Sequence, residues 1–243
     1  MGMANNALIA LRDIDFSYPG GPQVLKNLDF DLYAGERVGL LAPNGSGKTT
    51  LFHVIMGLLK PVRGRIILFG RTVAKEADFA AVRRRIGLLF QDADDQLFSP
   101  TVLEDVAFGP LNLGKSREEA IAVARQTLTR LGLSGFEDRV TFRLSGGEKR
   151  LVSLATVLAM EPEVLLLDEP TTGLDDQTRE TLAGLINDLD LAYILISHNT
   201  RFLEQTVDVT YSMEDGHIKT DEALHFHEHV HAHKHGRIPH QHE

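Results

Sequence analysis

Eight consecutive residues between two apolar runs limit this chain more than anything else in its sequence. Ala42, Pro43, Asn44, Gly45, Ser46, Gly47, Lys48 and Thr49 follow a buried-strand pattern, Val38 to Leu41, and precede Leu51, Phe52, Ile55 and Leu58 at helical spacing. A strand that feeds a glycine-rich turn and then a helix N-terminus can surround an anion with backbone amides. In such a loop Lys48 reaches the β- and γ-phosphates of a nucleotide, and the Thr49 hydroxyl holds Mg²⁺. Gly45 and Gly47 leave out the side chains that would block close backbone approach. Ala42 stands where the usual pattern has glycine, which affects the first turn and leaves the phosphate-contacting half intact. A glycine-rich turn with an exposed lysine is the bland alternative, and the flanking strand and helix argue against it. The same spacing predicts a helix over 49–59, stopped by Pro61.

Around this loop the periodicity alternates between strand and helix. Leu28, Phe30 and Leu32 alternate with Asp29 and Asp31 before a turn at Ala34, Gly35 and Glu36, as in a strand with one buried face. Ile86 to Phe90, Val164 to Leu167 and Tyr193 to Ile196 are short apolar runs that read as central strands. The order implies an α/β fold with a parallel-rich sheet. Residues from about 99 to 160 turn mainly helical, with Arg117 to Leu131 the clearest amphipathic stretch, so a helical subdomain is expected inside the sheet domain. A chain of 243 residues that is 43% hydrophobic can bury one such core, here assigned to residues 1–224.

Two further segments carry chemistry. Val164 to Glu169 is an apolar strand ending in two acids: Asp168 can face Mg²⁺ beside a triphosphate, and Glu169 can act as the general base that polarises an attacking water. Alone, such a pair is more often a helix cap. Leu144, Ser145, Gly146, Gly147 and Glu148 precede a helical pattern, so Ser145 at an N-cap with two side-chain-free neighbours makes a second anion site suited to a γ-phosphate. A bare cap would look the same.

In this order the three segments resemble the ATP-binding subunits of ABC transporters, over nearly the whole chain from the first strand to about Thr220. The resemblance implies an α/β P-loop ATPase domain with an inserted helical subdomain, ATP and Mg²⁺ as its cofactors, and Thr50 continuing the phosphate loop. It also implies Tyr18 as the aromatic that stacks on adenine, Gln91 as the residue linking Mg²⁺ to the membrane partner, Gly173 to Asp175 as the D-loop, and His198 as the switch histidine. Singly, a tyrosine or histidine at such a place is more often structural. In the family Ser145, Gly146 and Gly147 face phosphates held by another copy's loop, so a homodimer or paired ATPase is implied, catalysed by Glu169, His198 and Lys48. The stretch of Phe90, Gln91, Asp92, Asp94, Asp95, Gln96, Leu97 and Phe98, continuing from Glu104 to Leu113, is similar to the energy-coupling-factor subgroup, above all its cobalt and nickel importers. That likeness implies integral membrane subunits as partners, a groove for their coupling helix, and a place on the cytoplasmic face of the membrane. A solvated acidic loop is the bland reading of the three aspartates.

The tail, 225–243, is the one biased segment. Eight of the chain's eleven histidines fall in it, at 225, 227, 229, 231, 233, 235, 240 and 242. Phe226, Glu228 and Val230 interrupt the run, which favours a flexible natural tract over an expression tag. His225, His227, His229, His231, His233 and His235 form a candidate site for a divalent metal. Imidazole suits Ni²⁺, Co²⁺, Cu²⁺ and Zn²⁺, and affinity alone does not choose among them. Solubility is the competing role.

Bulk properties close off other classes. A net charge of -9 and a pI near 5.6 argue against nucleic acid as a partner. With no cysteine there is no disulfide framework or thiolate metal site. No secretory signal is read at the start, and no apolar run is long enough to span a bilayer. An ABC ATPase of DNA repair or translation would need a long coiled-coil insertion or a second cassette. A metal-storage or delivery protein would leave the ordered ATPase motifs unexplained.

Overall fold

The computed structural model describes residues 7–224; the histidine tail lies outside them. Six strands form the central sheet: β3 (Arg37–Leu41), β6 (Ile86–Leu89), β7 (Val164–Asp168), β8 (Ala192–Ser197), β9 (Val209–Glu214) and β10 (His217–Leu224). Their order is β10-β9-β3-β8-β7-β6, parallel except for β10 against β9. Every residue of β7 and β8 is buried, as expected for strands covered on both faces. Successive side chains leave such a strand in opposite directions. Accordingly Leu166, Ile194 and Ile196 enter one core, and Leu165, Leu167 and Leu195 the other.

The first core is closed by α1 (Lys48–Ile55) and a four-stranded antiparallel sheet, ordered β2-β1-β4-β5. Its strands are β1 (Ala7–Ser17), β2 (Gln23–Tyr33), β4 (Arg63–Leu68) and β5 (Arg71–Val73), and α2 (Glu76–Val82) adds Phe79 and Val82. The second core is closed by α3 (Val102–Asn112), α4 (Arg117–Arg130), α5 (Gly146–Leu158), α6 (Asp176–Asn187) and α7 (Thr200–Thr206). The three helices α3, α4 and α5 lie between β6 and β7 in sequence, where a helical insertion was expected, and share their core with the sheet.

The helix expected over 49–59 is shorter. It ends at Ile55, with Gly57 at φ +67. The Leu58 amide donates to His53 O at 2.8 Å and the Gly57 amide to Val54 O at 3.0 Å, which closes the helix with a left-handed glycine before Pro61 acts. Leu58, read as part of the buried stripe, is 54% exposed. A Cβ on Gly57 would meet the Phe79 ring at 2.4 Å. Gly57→Ala is therefore expected to destabilise the chain by about 1–3 kcal/mol through backbone strain and overpacking. An unchanged denaturant midpoint would contradict that account.

Candidate nucleotide site

The loop after β3 places its residues against the end of β7. Lys48 Nζ donates to Glu169 Oε1 at 2.9 Å, to Ala42 O at 3.2 Å and to Asn44 Oδ1 at 3.3 Å. This ion pair is deeply buried, with side-chain exposures of 7% and 2%. On its other side Glu169 Oε2 lies 2.9 Å from His198 Nδ1 and accepts from the His198 amide at 3.3 Å. Strand β8 delivers His198, so Lys48, Glu169 and His198 meet from three separate segments. Glu169 adopts φ +44, a conformation costly for a residue with a side chain, while its amide stays tied to Ile196 O at 3.0 Å. That turn swings its carboxylate out of the strand and toward the loop.

Thr49 Oγ1 donates to Asp168 Oδ2 at 2.8 Å. Asp168 Oδ1 is buried and has no hydrogen-bond partner among the described residues, and the same holds for Ser46 Oγ in the loop. Burial pushes the Asp168 carboxyl up, and the Thr49 hydroxyl opposes this. A buried, half-satisfied carboxylate beside a hydroxyl is a hard oxygen donor set that fits Mg²⁺. Gln91 is exposed and lines the same cavity of about 810 Å³ as Thr49 and Asp168.

Tyr18 is 45% exposed, packs edge-on against Phe16 at 5.0 Å, and its hydroxyl lies 3.1 Å from Thr50 Oγ1. The ring is thereby held beside the start of α1.

Ser145 caps α5, accepting from the Glu148 amide at 3.3 Å, while Glu148 Oε2 accepts from the Ser145 amide at 2.8 Å. That amide, with Arg139, holds the Glu148 carboxyl below the usual range. Gly146 lines the cavity with Thr49, whereas Ser145 and Gly147 do not. A Cβ on Gly147 would come within 2.9 Å of Thr178 Cγ2, so glycine lets the turn sit against the start of α6. Asp175 caps α6 by accepting from the Thr178 amide at 2.9 Å.

Arg150 is the residue that pattern reading passed over. It falls in the helical pattern after Glu148, is 4% exposed and donates to the backbone carbonyls of Phe90 and Gln91. Only burial distinguishes it from its neighbours. His225, His227, His229, His231, His233 and His235 lie outside the described residues, among which no cluster of metal-ligating side chains is found.

Residues 25–172 match the family described as ABC transporter. A provisionally named ABC transporter ATP-binding protein of Nitratidesulfovibrio vulgaris is 52% identical over 98% of this chain and 87% of its own length. The energy-coupling factor transporter ATP-binding protein EcfA of Methanothermobacter thermautotrophicus is 41% identical, over 87% of this chain and 69% of that protein. Among solved structures, cbiO1 from Clostridium perfringens, described as part of the ABC transporter complex cbiONQ, superposes with a TM-score of 0.80. Its identity is 33%, covering 88% of this chain and 87% of that one. A dimeric ATP-binding cassette in a post-hydrolysis state with ADP and Pi also gives 0.80, at 27% identity over 90% of this chain and 100% of that one. The chain belongs to the ABC transporter family, as its ATP-binding domain. Its α/β fold is that of the ABC cassettes. Among the described residues no helix is long and apolar enough to cross a membrane.

Proposed function

We infer that this chain is the ATP-hydrolysing motor of an energy-coupling-factor importer for nickel or cobalt ions. It works as one of a pair, bound to integral membrane subunits on the cytoplasmic side. The contact of Lys48, Glu169 and His198, with Thr49 and Asp168 alongside, carries the hydrolytic reading. The subgroup rests on residues 90–98 and on the likeness to EcfA and cbiO1.

Lys48 leaves Glu169 to hold the β- and γ-phosphates, since the triphosphate offers it more negative charge than one carboxylate. Glu169, released, accepts the proton of the attacking water, and the His198 imidazole keeps its carboxylate oriented. Tyr18 stacks on the base. Thr49, Asp168 and Gln91 would hold Mg²⁺, which would supply charge neutralisation at the phosphate oxygens. Ser145, Gly146 and Gly147 contact the γ-phosphate on the partner chain's loop through the α5 N-terminus. The groove of Asp94, Leu97, Phe98, Ser99, Pro100, Thr141 and Phe142, about 320 Å³, receives the membrane subunit's coupling helix. Vesicles holding the full complex are expected to take up radiolabelled Ni²⁺ or Co²⁺ only with hydrolysable ATP, and not with Lys48→Ala. Uptake of neither ion, with ATP hydrolysed normally, would overturn the metal assignment.

The histidine tail is a second, reversible binding place for the same ions. Fixing residues around an ion costs roughly 1–2 kcal/mol for each, so the affinity of the tail is moderate. The ligands must be deprotonated, so metal is held above the ordinary histidine pKa, about 6.5, and released as pH falls through it. Deleting 225–243 is expected to lower the Ni²⁺ or Co²⁺ bound per chain in calorimetric titration and to leave basal ATPase activity intact. Equal binding by both chains would rule out the tail as a metal site.

A further inference from the structure

Leu58, left in solvent where Gly57 ends α1, does not stand alone. Val62, at 75%, is the most exposed large apolar side chain among the described residues. Both lie on the connection from α1 to β4, and hydrogen bonds fix that connection in place. The Leu59 amide donates to His53 O at 3.2 Å and the Val62 amide to Asp15 O at 2.8 Å. Single exposed apolar side chains need no explanation, but these two stand among cations.

Lys60, Arg63 and Arg65 are exposed and form no ion pair with any described residue. Arg63 and Arg65 leave β4 on the same face. Asp15, opposite Arg63 in register, accepts instead from Gln23 Nε2 at 2.8 Å and from the Asn27 amide at 2.7 Å. Beside Lys60 and Arg63 lies a cavity of about 390 Å³ with Pro61, Ile66, Val73 and Phe79 in its wall, so the cations have an apolar backing. The acid in its lining, Glu76, accepts from Arg83 Nη1 and Nη2 at 2.6 and 2.7 Å, which leaves the charge at the mouth uncancelled. The bias extends along the chain: residues 60–85 hold eight lysines and arginines against Glu76 and Asp78, in a chain of net charge -9.

Apolar side chains projecting among unpaired cations match an anionic lipid leaflet, whose headgroups meet the cations and whose acyl boundary takes the apolar groups. Free phosphate or nucleic acid would satisfy the charges and offer nothing to Leu58 and Val62. Phe69 and Phe79, the aromatics of the stretch, are not exposed for base stacking. We propose that residues 58–65 form a direct contact with anionic phospholipid. This rests on the peripheral membrane location proposed above and adds the lipid class that the chain itself touches, beside its membrane subunits.

The test sediments the full-length chain with vesicles of phosphatidylcholine alone and of phosphatidylcholine mixed with phosphatidylglycerol. A chelator is present, and the pH is held well above the ordinary histidine value of about 6.5, so that the tail imidazoles are neutral. Only the mixed vesicles should carry the chain down. Lys60→Gln combined with Arg63→Gln should weaken that binding about 25-fold, a factor of about five for each cation near an anionic surface. Val62→Ser should weaken it roughly threefold or more by removing the inserted methyl groups. Thermal midpoints and basal ATPase activity should not change, because these side chains are exposed and lie outside the nucleotide site. Equal binding to both kinds of vesicle, or binding that the variants leave intact, would overturn the contact. So would displacement by excess glycerol phosphate, which assigns the cations to a free phosphate, or tighter binding to a short RNA than to the mixed vesicles, which assigns them to nucleic acid. No vesicle binding, with poorer capture of the membrane subunits by the variants, would overturn it in favour of a protein partner. Metal uptake enters none of these readouts, so a failed lipid contact and a failed importer assignment are told apart.

Discussion

Glu169→Gln is expected to lower ATP turnover by about 100- to 10,000-fold, the range typical of losing a general base, while ATP still binds. The amide has nearly the carboxylate's shape, and its oxygen still accepts from the His198 amide, now 3.3 Å from Glu169 Oε2. What disappears is the proposed proton acceptor and the charge that holds Lys48 at 2.9 Å. With that ion pair gone, a triphosphate no longer competes for Lys48, so binding is equal to or tighter than in the unaltered chain. Single-turnover hydrolysis and equilibrium nucleotide binding, measured on the same preparation, separate the two effects. Turnover at the original rate would remove Glu169 from the reaction.

The second large effect is recovery on mixing. Ser145→Arg puts a bulky cation at the N-cap of α5, and Lys48→Ala removes the side chain proposed to hold phosphate and leaves Glu169 buried without its cation. Each chain alone should be inactive. A mixed dimer contains one site with an intact Lys48 from the first chain and an intact Ser145 from the second, so activity should partly return. Since Lys48→Ala can also destabilise its own chain, the thermal midpoints of both variants are needed beside the assay. Two folded, inactive chains that fail to complement would show that the Ser145 turn serves its own loop.

The two residues beside the phosphate loop illustrate how legibility divides. Thr49 and Asp168 are each read from a local pattern as facing Mg²⁺, a hydroxyl at a helix start and an acid at a strand end, and the fold brings their side chains within 2.8 Å. Each pattern follows from a few neighbouring residues, so it survives in the sequence alone. Gln91, Tyr18 and His198 carry no such local signature, and only the family's order of motifs singled them out. Leu58 shows the opposite failure: its spacing fits a buried stripe, but Gly57 ends α1 first and leaves it exposed.

By itself the sequence determined the alternation of strands and helices, the phosphate loop, the paired acids and the glycine turn after Leu144. These are set by periodicity and by backbone conformations that particular residues allow, both short-range properties. Tertiary structure alone decided that Lys48 pairs with Glu169 across 121 residues, that Glu169 turns out of its strand at φ +44, and that Arg150 is interior. Those facts depend on which elements become neighbours in the sheet and how much water packing excludes. Chain-distant packing of that kind leaves no periodic trace in the residues it joins.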